Sequence, residues 1–534
     1  MSRKQIFLIL FLGIYTHLVM AGTMPEGSWN VIPHPQQVTL TGGSPFTLTA
    51  STTIRVSRKG GSEVCRCARF LKDYIRDITG VKVKITTRRR VGQIALALTD
   101  SFKHAEAYRI KATPGEVSIV GSSGAGLFHG VQTLRKALPM AAGATAVSLP
   151  SAEIADYPRF GYRGFLLDVG RHFFSFERIK TIINELALHN INYFHWHLTE
   201  DQGWRLAVDG YPRLTTIGSH RIGSQIQNGT VDTIPVSGYY TKSQVREIVK
   251  YAADRFITII PEIDMPGHMS AALASYPELG CTGGPYKVQN KWGVFPDVLC
   301  AGNPTTLKFV KDVLAEVLRL FPSPYIHLGG DECPKERWKQ CPKCQARIEE
   351  LHLTDEPGHS REEQLQTWFM QQAAQQVTSH GRHVMGWSDV LKGKPDESMT
   401  VLAWTGPEAV SESARRGYST IVCPISNFYL SDPYSLRRKG RDSFSAIYDY
   451  PVVPSSLTPA QARHITGVEG CIWTEWVSDE KELQRELLPR LAALAEVQWT
   501  QPQNKNLDRL LMCLPHMEAL YRSLGFDFRT DLFD

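Results

Sequence analysis

The sequence predicts an α/β fold, a (β/α)8 TIM-type barrel preceded by a small α+β domain, on three observations. From about residue 160 onward, eight short apolar segments read as strands, and helical segments follow several of them. Acids and tryptophans collect at the carboxyl ends of those strands. Ahead of them, residues 22–155 have another texture, with β-branched runs set around two helical stretches. Composition agrees with a folded chain: 534 residues, 42% hydrophobic, 21% charged and 11 Trp, too apolar and aromatic for extensive disorder.

In chain order, Arg3 and Lys4 precede an apolar run from Ile6 to Tyr15, and Val19-Met20-Ala21 closes the segment. This is the pattern of a secretory signal peptide over residues 1–21, cut after Ala21, and it predicts a periplasmic or secreted protein. The competing reading is an uncleaved anchor, for which the run is short. No later segment is long and apolar enough to span a bilayer. Lys plus Arg is 59 against 53 acids, a net charge of +6. The densest basic run is Arg88-Arg89-Arg90, so no nucleic-acid partner is expected.

The first domain is read from strand-like runs at 53–56, 81–85 and 117–120, with helices at 63–78 and 125–138. Tyr157-Pro158-Arg159 is a plausible linker, and the barrel is assigned to 156–534. Its strands are expected at 164–169, 193–198, 258–263, 325–329, 383–386, 400–404, 420–424 and 468–472. Helices are expected at 176–190, 243–255, 306–321, 362–379 and 480–497, whereas the sixth and seventh are poorly marked.

Active sites of such barrels lie at the carboxyl ends of the strands. There the sequence offers Asp168 to His172, His195-Trp196-His197, Glu262, Asp264 and His268, Gly329-Gly330-Asp331-Glu332, Trp387-Ser-Asp389, Trp404 and Trp473-Thr-Glu475. Carboxylates beside tryptophans suit a sugar, whose C–H faces pack on aromatic rings and whose hydroxyls bond to acids and Arg. Glycoside cleavage usually needs two carboxyls that bracket the bond. Asp331 and Glu332 are adjacent, and neighbours on a strand point to opposite faces. They reach one site only where the strand ends and turns, which Gly329-Gly330 permits. An adjacent pair fits a mechanism in which the substrate supplies the nucleophile.

His327-Leu-Gly-Gly-Asp-Glu332 resembles the signature of glycoside hydrolase family twenty, the β-N-acetylhexosaminidases. Leu167-Asp-Val-Gly-Arg-His-Phe-Phe174, His195-Trp-His-Leu-Thr-Glu-Asp-Gln-Gly-Trp204, Pro261-Glu-Ile-Asp-Met-Pro-Gly-His268 and Gly470-Cys-Ile-Trp-Thr-Glu475 match as well, in the family's order. The resemblance implies exo-acting, substrate-assisted, retaining hydrolysis of N-acetylhexosamine-terminated glycans, with no cofactor and no metal. The acetamido oxygen attacks the anomeric carbon and forms an oxazolinium. By resemblance, Glu332 is the general acid and base, Asp331 orients the acetamido group, and Asp201 with His268 forms a supporting relay. Glu332 is then expected to have a raised pKa. Trp387, Trp404 and Trp473 match a box around the acetamido methyl, Tyr429 the phenol on its oxygen, Arg171 a ligand of O3 and O4, and Glu475 a ligand of O4 and O6. The family often has Tyr-x-Asp where this chain has Tyr429-Leu430-Ser431 followed by Asp432. Either Asp432 or Ser431 could take that contact, and the choice between gluco and galacto sugars stays open.

Plainer readings stand beside these. His195-x-His197 has metal-ligand spacing, so a metal-dependent barrel hydrolase is one alternative, and a catalytically silent sugar-binding protein is another. Packing is the better reading of both His. Arg171 could simply pair with Asp168, and Glu262 and Asp264 could only shape their loop. Of the 10 Cys, Cys281 and Cys300 bracket a Gly-rich loop and could staple it. Cys341-Pro-Lys-Cys344 with nearby Cys333 is one ligand short of a zinc site, so a disulfide or free thiols is preferred there.

Overall fold

The computed structural model describes residues 24–57, 60–431 and 441–530. The predicted leader at 1–21, and Asp432, lie outside the described residues. Among those described, no helix is long and apolar enough to cross a membrane.

Eight strands close a parallel barrel: β1 (Tyr162–Asp168), β2 (Tyr193–His197), β3 (Thr258–Met265), β4 (Tyr325–Gly329), β5 (His383–Trp387), β6 (Thr400–Ala403), β7 (Ser419–Val422) and β8 (Ile465–Ile472). Each pairs with the next, and β8 returns to β1 in the register Gly164↔Glu469. The strands are covered on both faces and are mostly apolar, while His195, His197, Glu262, Asp264 and Glu469 interrupt the runs of β2, β3 and β8. Leu166, Ile260, Met385, Leu402 and Ile421 fill the barrel. Their neighbours Leu167, Ile259, Val384, Val401 and Val422 pack outward on the helical ring. The alternation follows from successive side chains pointing to opposite faces.

Helix starts are written locally. Ser175 caps Phe176–Leu188 by accepting from the Arg178 N–H. Thr241 with Gln244, and Ser360 with Glu363, form capping boxes on Lys242–Ala253 and Arg361–Thr378. The sixth and seventh barrel helices are present but short, Pro407–Arg415 and Arg441–Tyr448. The fifth position instead holds a single 3-10 segment, Ser388–Lys392. That short connection keeps Asp389 directly under the site.

The preceding domain is a seven-stranded sheet in the order Gln37–Leu40, Ala152–Asp156, Tyr108–Thr113, Glu116–Gly121, Gln93–Leu98, Thr53–Val56, Lys84–Thr86. Helices Gly61–Thr79 and Gly124–Ala137 pack on it. This domain grips the barrel beside its closing seam. Arg163 on β1 reaches Glu106 at 2.5 Å, and Glu106 also holds His129 at 2.8 Å. Trp499, at the end of the helix behind β8, donates through Nε1 to Asp156 at 3.0 Å, and Glu496 accepts from the His34 backbone N–H at 2.8 Å.

Candidate active site

The barrel gathers its chemistry at the carboxyl ends of the strands, and the local backbone explains how. Gly329, Gly330 and Glu332 all have positive φ, at 71°, 94° and 41°. The chain overturns as it leaves β4, so the Asp331 and Glu332 side chains open on the same pocket. Gly329 is required twice over. Its φ is left-handed, and a Cβ there would lie 1.7 Å from Asp264 Oδ1. We expect Gly329→Ala to destabilise the protein by at least the ~1–2 kcal/mol of a left-handed L-residue, and to lower kcat by displacing Asp331. Urea midpoints and initial rates check both.

The pocket, about 480 Å³, is lined by Arg171, Asp331, Glu332, Trp387, Trp404, Ile425, Tyr429, Trp473 and Glu475. The structure thus brings together around one pocket every residue to which the resemblance gave a catalytic or sugar-binding role, while the relay residues Asp201 and His268 stand behind it. Each tryptophan is fixed by a hydrogen bond. Trp387 Nε1 donates to Glu262 at 2.8 Å, and Trp404 Nε1 to Asp389 at 2.9 Å. The Trp473 backbone N–H donates to Ser431 Oγ at 3.2 Å. Trp473 lies 5.8 Å from Trp387 and 5.9 Å from Tyr429 between ring centres, and the Trp404 and Tyr429 rings are near-parallel. The Arg171 guanidinium sits 4.9 Å over Trp473 and 3.3 Å from Glu200.

Asp168 couples the first and last strand ends. Its Oδ1 accepts from the Gly170 and Arg171 backbone, and its Oδ2 from both the N–H and the hydroxyl of Thr474. Arg171 and Glu475 are therefore set by one buried carboxylate. Arg171 is also 3.6 Å from Asp168, so its pairing and its place on the pocket wall coexist.

Behind the pocket, His268 Nε2 is 3.4 Å from Glu332, and its Nδ1 is 3.3 Å from Asp201 but 2.7 Å from Glu200. Glu200, which the sequence reading did not single out, is the nearer anchor. Asp201 Oδ1 is taken by the Ser270 N–H at 2.8 Å. Burial alone would depress the His268 pKa, but Glu200, Asp201 and Glu332 together hold it well above the usual imidazole value. This corrects the expectation for Glu332. The hydrogen bond from His268 keeps its carboxyl below the usual range, against the upward pull of partial burial, in a side chain that is still 39% exposed. Asp331 behaves oppositely. Burial pushes it up to about 7, opposed by His268 and reinforced by Asp389, Glu262 and Glu332. Burial, with Asp331 beside it, pushes Asp264 well above the usual range. Of that pair, Asp264 keeps the proton.

His195 and His197 lie fully buried in the barrel, each between carboxylates. His195 is 2.9 Å from Glu469 and 3.1 Å from Glu262, and His197 is 2.5 Å from Glu262 and 3.1 Å from Glu200. Glu262 is the hub, meeting His195, His197, His327 and Trp387. It braces the floor of the pocket and does more than shape a loop. Ser431 is buried and engaged with the Trp473 backbone, so it does not take the sugar contact raised above. Ile425 completes the wall and carried no signal in the sequence; Asp389 was visible after Trp387, without a role.

Of the readings offered for the cysteines, the structure has free thiols and no staple between Cys281 and Cys300. Among the described residues no disulfide is formed. Cys281 and Cys300 meet Cys341 and Cys344 in one cluster, while Cys333 points its thiol at the Pro334 carbonyl.

Comparison with known proteins supplies the family. The model for the catalytic domain of glycosyl hydrolase family 20 matches residues 160–502, and that for domain 2 of the same family matches 28–157. The chain is 39% identical to a beta-hexosaminidase of Porphyromonas gingivalis over 486 residues, covering 88% of this chain and 60% of that protein. It is 32% identical to a beta-N-acetylhexosaminidase of Cellulomonas fimi over 491 residues, covering 90% and 91%. The solved N-acetyl-beta-hexosaminidase of Streptomyces plicatus aligns with a TM-score of 0.80 at 33% identity, covering 94% of this chain and 96% of that one. The chain thus spans about three fifths of the Porphyromonas protein and nearly all of the Cellulomonas and Streptomyces ones. With the catalytic-domain match laid over the barrel that carries Asp331 and Glu332, the chain belongs to glycosyl hydrolase family 20.

Proposed function

We propose that the protein is an exo-acting β-N-acetylhexosaminidase that removes terminal non-reducing β-linked N-acetylhexosamine with retention, the substrate's own acetamido oxygen acting as nucleophile. The observation that carries this is the pair Asp331 and Glu332, turned by a left-handed backbone into one pocket walled by Trp387, Trp404 and Trp473. The relatives named above bear hexosaminidase names, which supports the same substrate class.

The steps follow from the groups. The tryptophans pack around the acetamido methyl and exclude water, which holds the carbonyl oxygen near the anomeric carbon. As that oxygen bonds to the carbon, the bond to the leaving oxygen breaks and Glu332 gives it a proton. Asp331, ionised, faces the nitrogen that becomes positive and stabilises it. Water then attacks the same carbon, Glu332 takes its proton, and the ring opens to the free sugar. Glu332 enters as the anion held by His268. The arriving sugar covers its exposed side chain, and desolvation favours the protonated form that the first step needs. Arg171 and Glu475 close one end of the pocket and suit the outer hydroxyls of a terminal sugar, which supports exo action.

Release of an aryl leaving group by the purified protein tests the reading. We expect turnover of the β-N-acetylglucosaminide and the β-N-acetylgalactosaminide, and the plain β-glucoside at least about 10²-fold slower, since it lacks the positioned nucleophile. Glucoside turnover at a similar rate would sink the substrate-assisted reading. We also propose export by the leader at 1–21. N-terminal sequencing of the exported protein should then begin at Gly22.

A further inference from the structure

We propose that Cys281, Cys300, Cys341 and Cys344 form a four-thiolate zinc site that ties the loop after β3 to the loop after β4. The four Sγ atoms all lie within 4.8 Å of one another. Three separations are given by Cys281 to Cys344 at 3.8 Å, Cys300 to Cys341 at 3.7 Å and Cys300 to Cys344 at 3.6 Å. Thiolates about 2.3 Å from a tetrahedral zinc stand about 3.8 Å apart, so the cluster has the dimensions of a filled coordination sphere. Cys300 is equally near two partners, and so is Cys344. A sulfur can form one disulfide, so two pairwise bonds would single out two contacts and spread the rest. A common central ion makes them equal.

The surroundings fit the ion. Cys300, Cys341 and Cys344 are buried and Cys281 is half-buried, so the site is closed and has no open position for substrate. The Gly302 backbone N–H points at the sulfurs of both Cys300 and Cys344, as suits thiolates that carry charge. A Cβ on Gly302 would lie 2.1 Å from the Lys343 carbonyl oxygen, so only glycine lets this backbone lie against the Cys341-x-x-Cys344 turn. On binding, Zn²⁺ replaces the thiol protons, which leave to solvent.

The site is structural, with a consequence for catalysis by position. The stretch between Cys281 and Cys300 contains no helix or strand, and a loop of that length needs a staple to hold one shape. It rests on the relay: the Gln289 N–H donates to the Asp201 carbonyl at 3.0 Å, and Gln202 donates to the Lys291 carbonyl at 2.8 Å. The other half of the site, Cys341 and Cys344, lies on the segment that leaves Glu332, beyond the short helix Glu336–Gln340. Trp338 donates to the Leu299 carbonyl at 2.9 Å and joins the two loops. One ion would thus hold the segments flanking Asp201 and Glu332 together.

The test is metal analysis of the full chain, purified without chelator or reductant. We expect one zinc per chain, a sulfur-only shell at about 2.3 Å by X-ray absorption, and release of that zinc to a metallochromic dye as a mercurial titrates the thiols. Cys344→Ser should lose the zinc and lower the thermal midpoint. If that variant does not fold, cobalt substitution of the native protein decides instead, through the intense thiolate-to-metal absorption of a tetrahedral site. Absence of metal with a native mass short of the hydrogens of two disulfides would overturn the proposal. So would iron in place of zinc, or zinc with nitrogen and oxygen neighbours.

Discussion

Glu332→Gln lowers kcat/KM for a disaccharide N-acetylhexosaminide by about 10²–10⁴-fold, the usual worth of a positioned general acid. The substitution keeps the shape and removes the proton that the leaving oxygen requires. The loss should be smaller for an aryl leaving group in the first step, because a stable phenolate departs without help. The second step, in which Glu332 accepts a proton from water, is impaired for both. Folding should lose no more than about 1 kcal/mol, since the side chain is partly exposed and its one charged contact, with His268, is screened by solvent. Comparing the two leaving groups at matched concentrations, with a thermal melt of each protein, checks all of this. Equal losses on both substrates would mean that Glu332 acts only after the first step.

Asp331→Asn lowers kcat by about 10²–10³-fold with little change in KM, the scale seen when one preorganised electrostatic contact to a transition state is removed. Asparagine fits the same space but no longer offsets the charge that develops on the acetamido nitrogen. The pH profile supplies an independent reading. Asp331 must be ionised to act, and burial pushes its carboxyl up to about 7. In the native enzyme kcat/KM should therefore fall as pH drops through the neutral range, and that limb should vanish in the variant. Stability moves the other way. A carboxyl whose folded pKa lies above the unfolded value of about 3.9 contributes stability below that value, and the contribution is lost as pH rises towards 7. At pH 8 the native protein holds a costly buried charge, so Asp331→Asn should melt at a higher temperature than the parent. A lower melting temperature there would show that the carboxylate is compensated within the fold.

Most of the site was legible because its chemistry is written at strand ends. Asp331, Glu332 and Trp473 stand beside short apolar runs, and an apolar run followed by glycines, acids or tryptophan is a local signal. The parts that were not legible depend on contacts between distant segments. Which of Glu200 and Asp201 lies nearer His268 is set by the tight hairpin Thr199–Glu200 with Gly203–Trp204, and no spacing rule distinguishes the two. Ser431 looked like a sugar ligand because its neighbours match a substrate-binding stretch, yet its hydroxyl is taken by the Trp473 backbone. Cys341 and Cys344, counted with Cys333, looked one ligand short of a metal site; Cys333 is turned away, and the sulfurs that meet the other two come from another loop. The missing fifth helix follows the same logic. A strand pattern ending in Trp387 says nothing about whether the next turn lengthens into a helix.

The grip of the first domain on the barrel has a consequence for how the chain reaches its native state. Ring closure joins β1 to β8, where Tyr162 meets Glu469 across 307 residues of sequence. Such a contact forms late, because the entropy of closing so long a loop is lost before the contact returns anything. The N-terminal sheet touches both sides of that seam, Arg163 through Glu106 and Trp499 through Asp156. The sheet has long-range pairings of its own, Gln37 against Ala155 and Tyr108 against Asp156, so it offers the seam a surface only once its own first and last strands have met. Its removal would strip the Glu106 and Asp156 contacts from both sides of the seam, and would be felt in the closure of the ring before any effect on sugar binding.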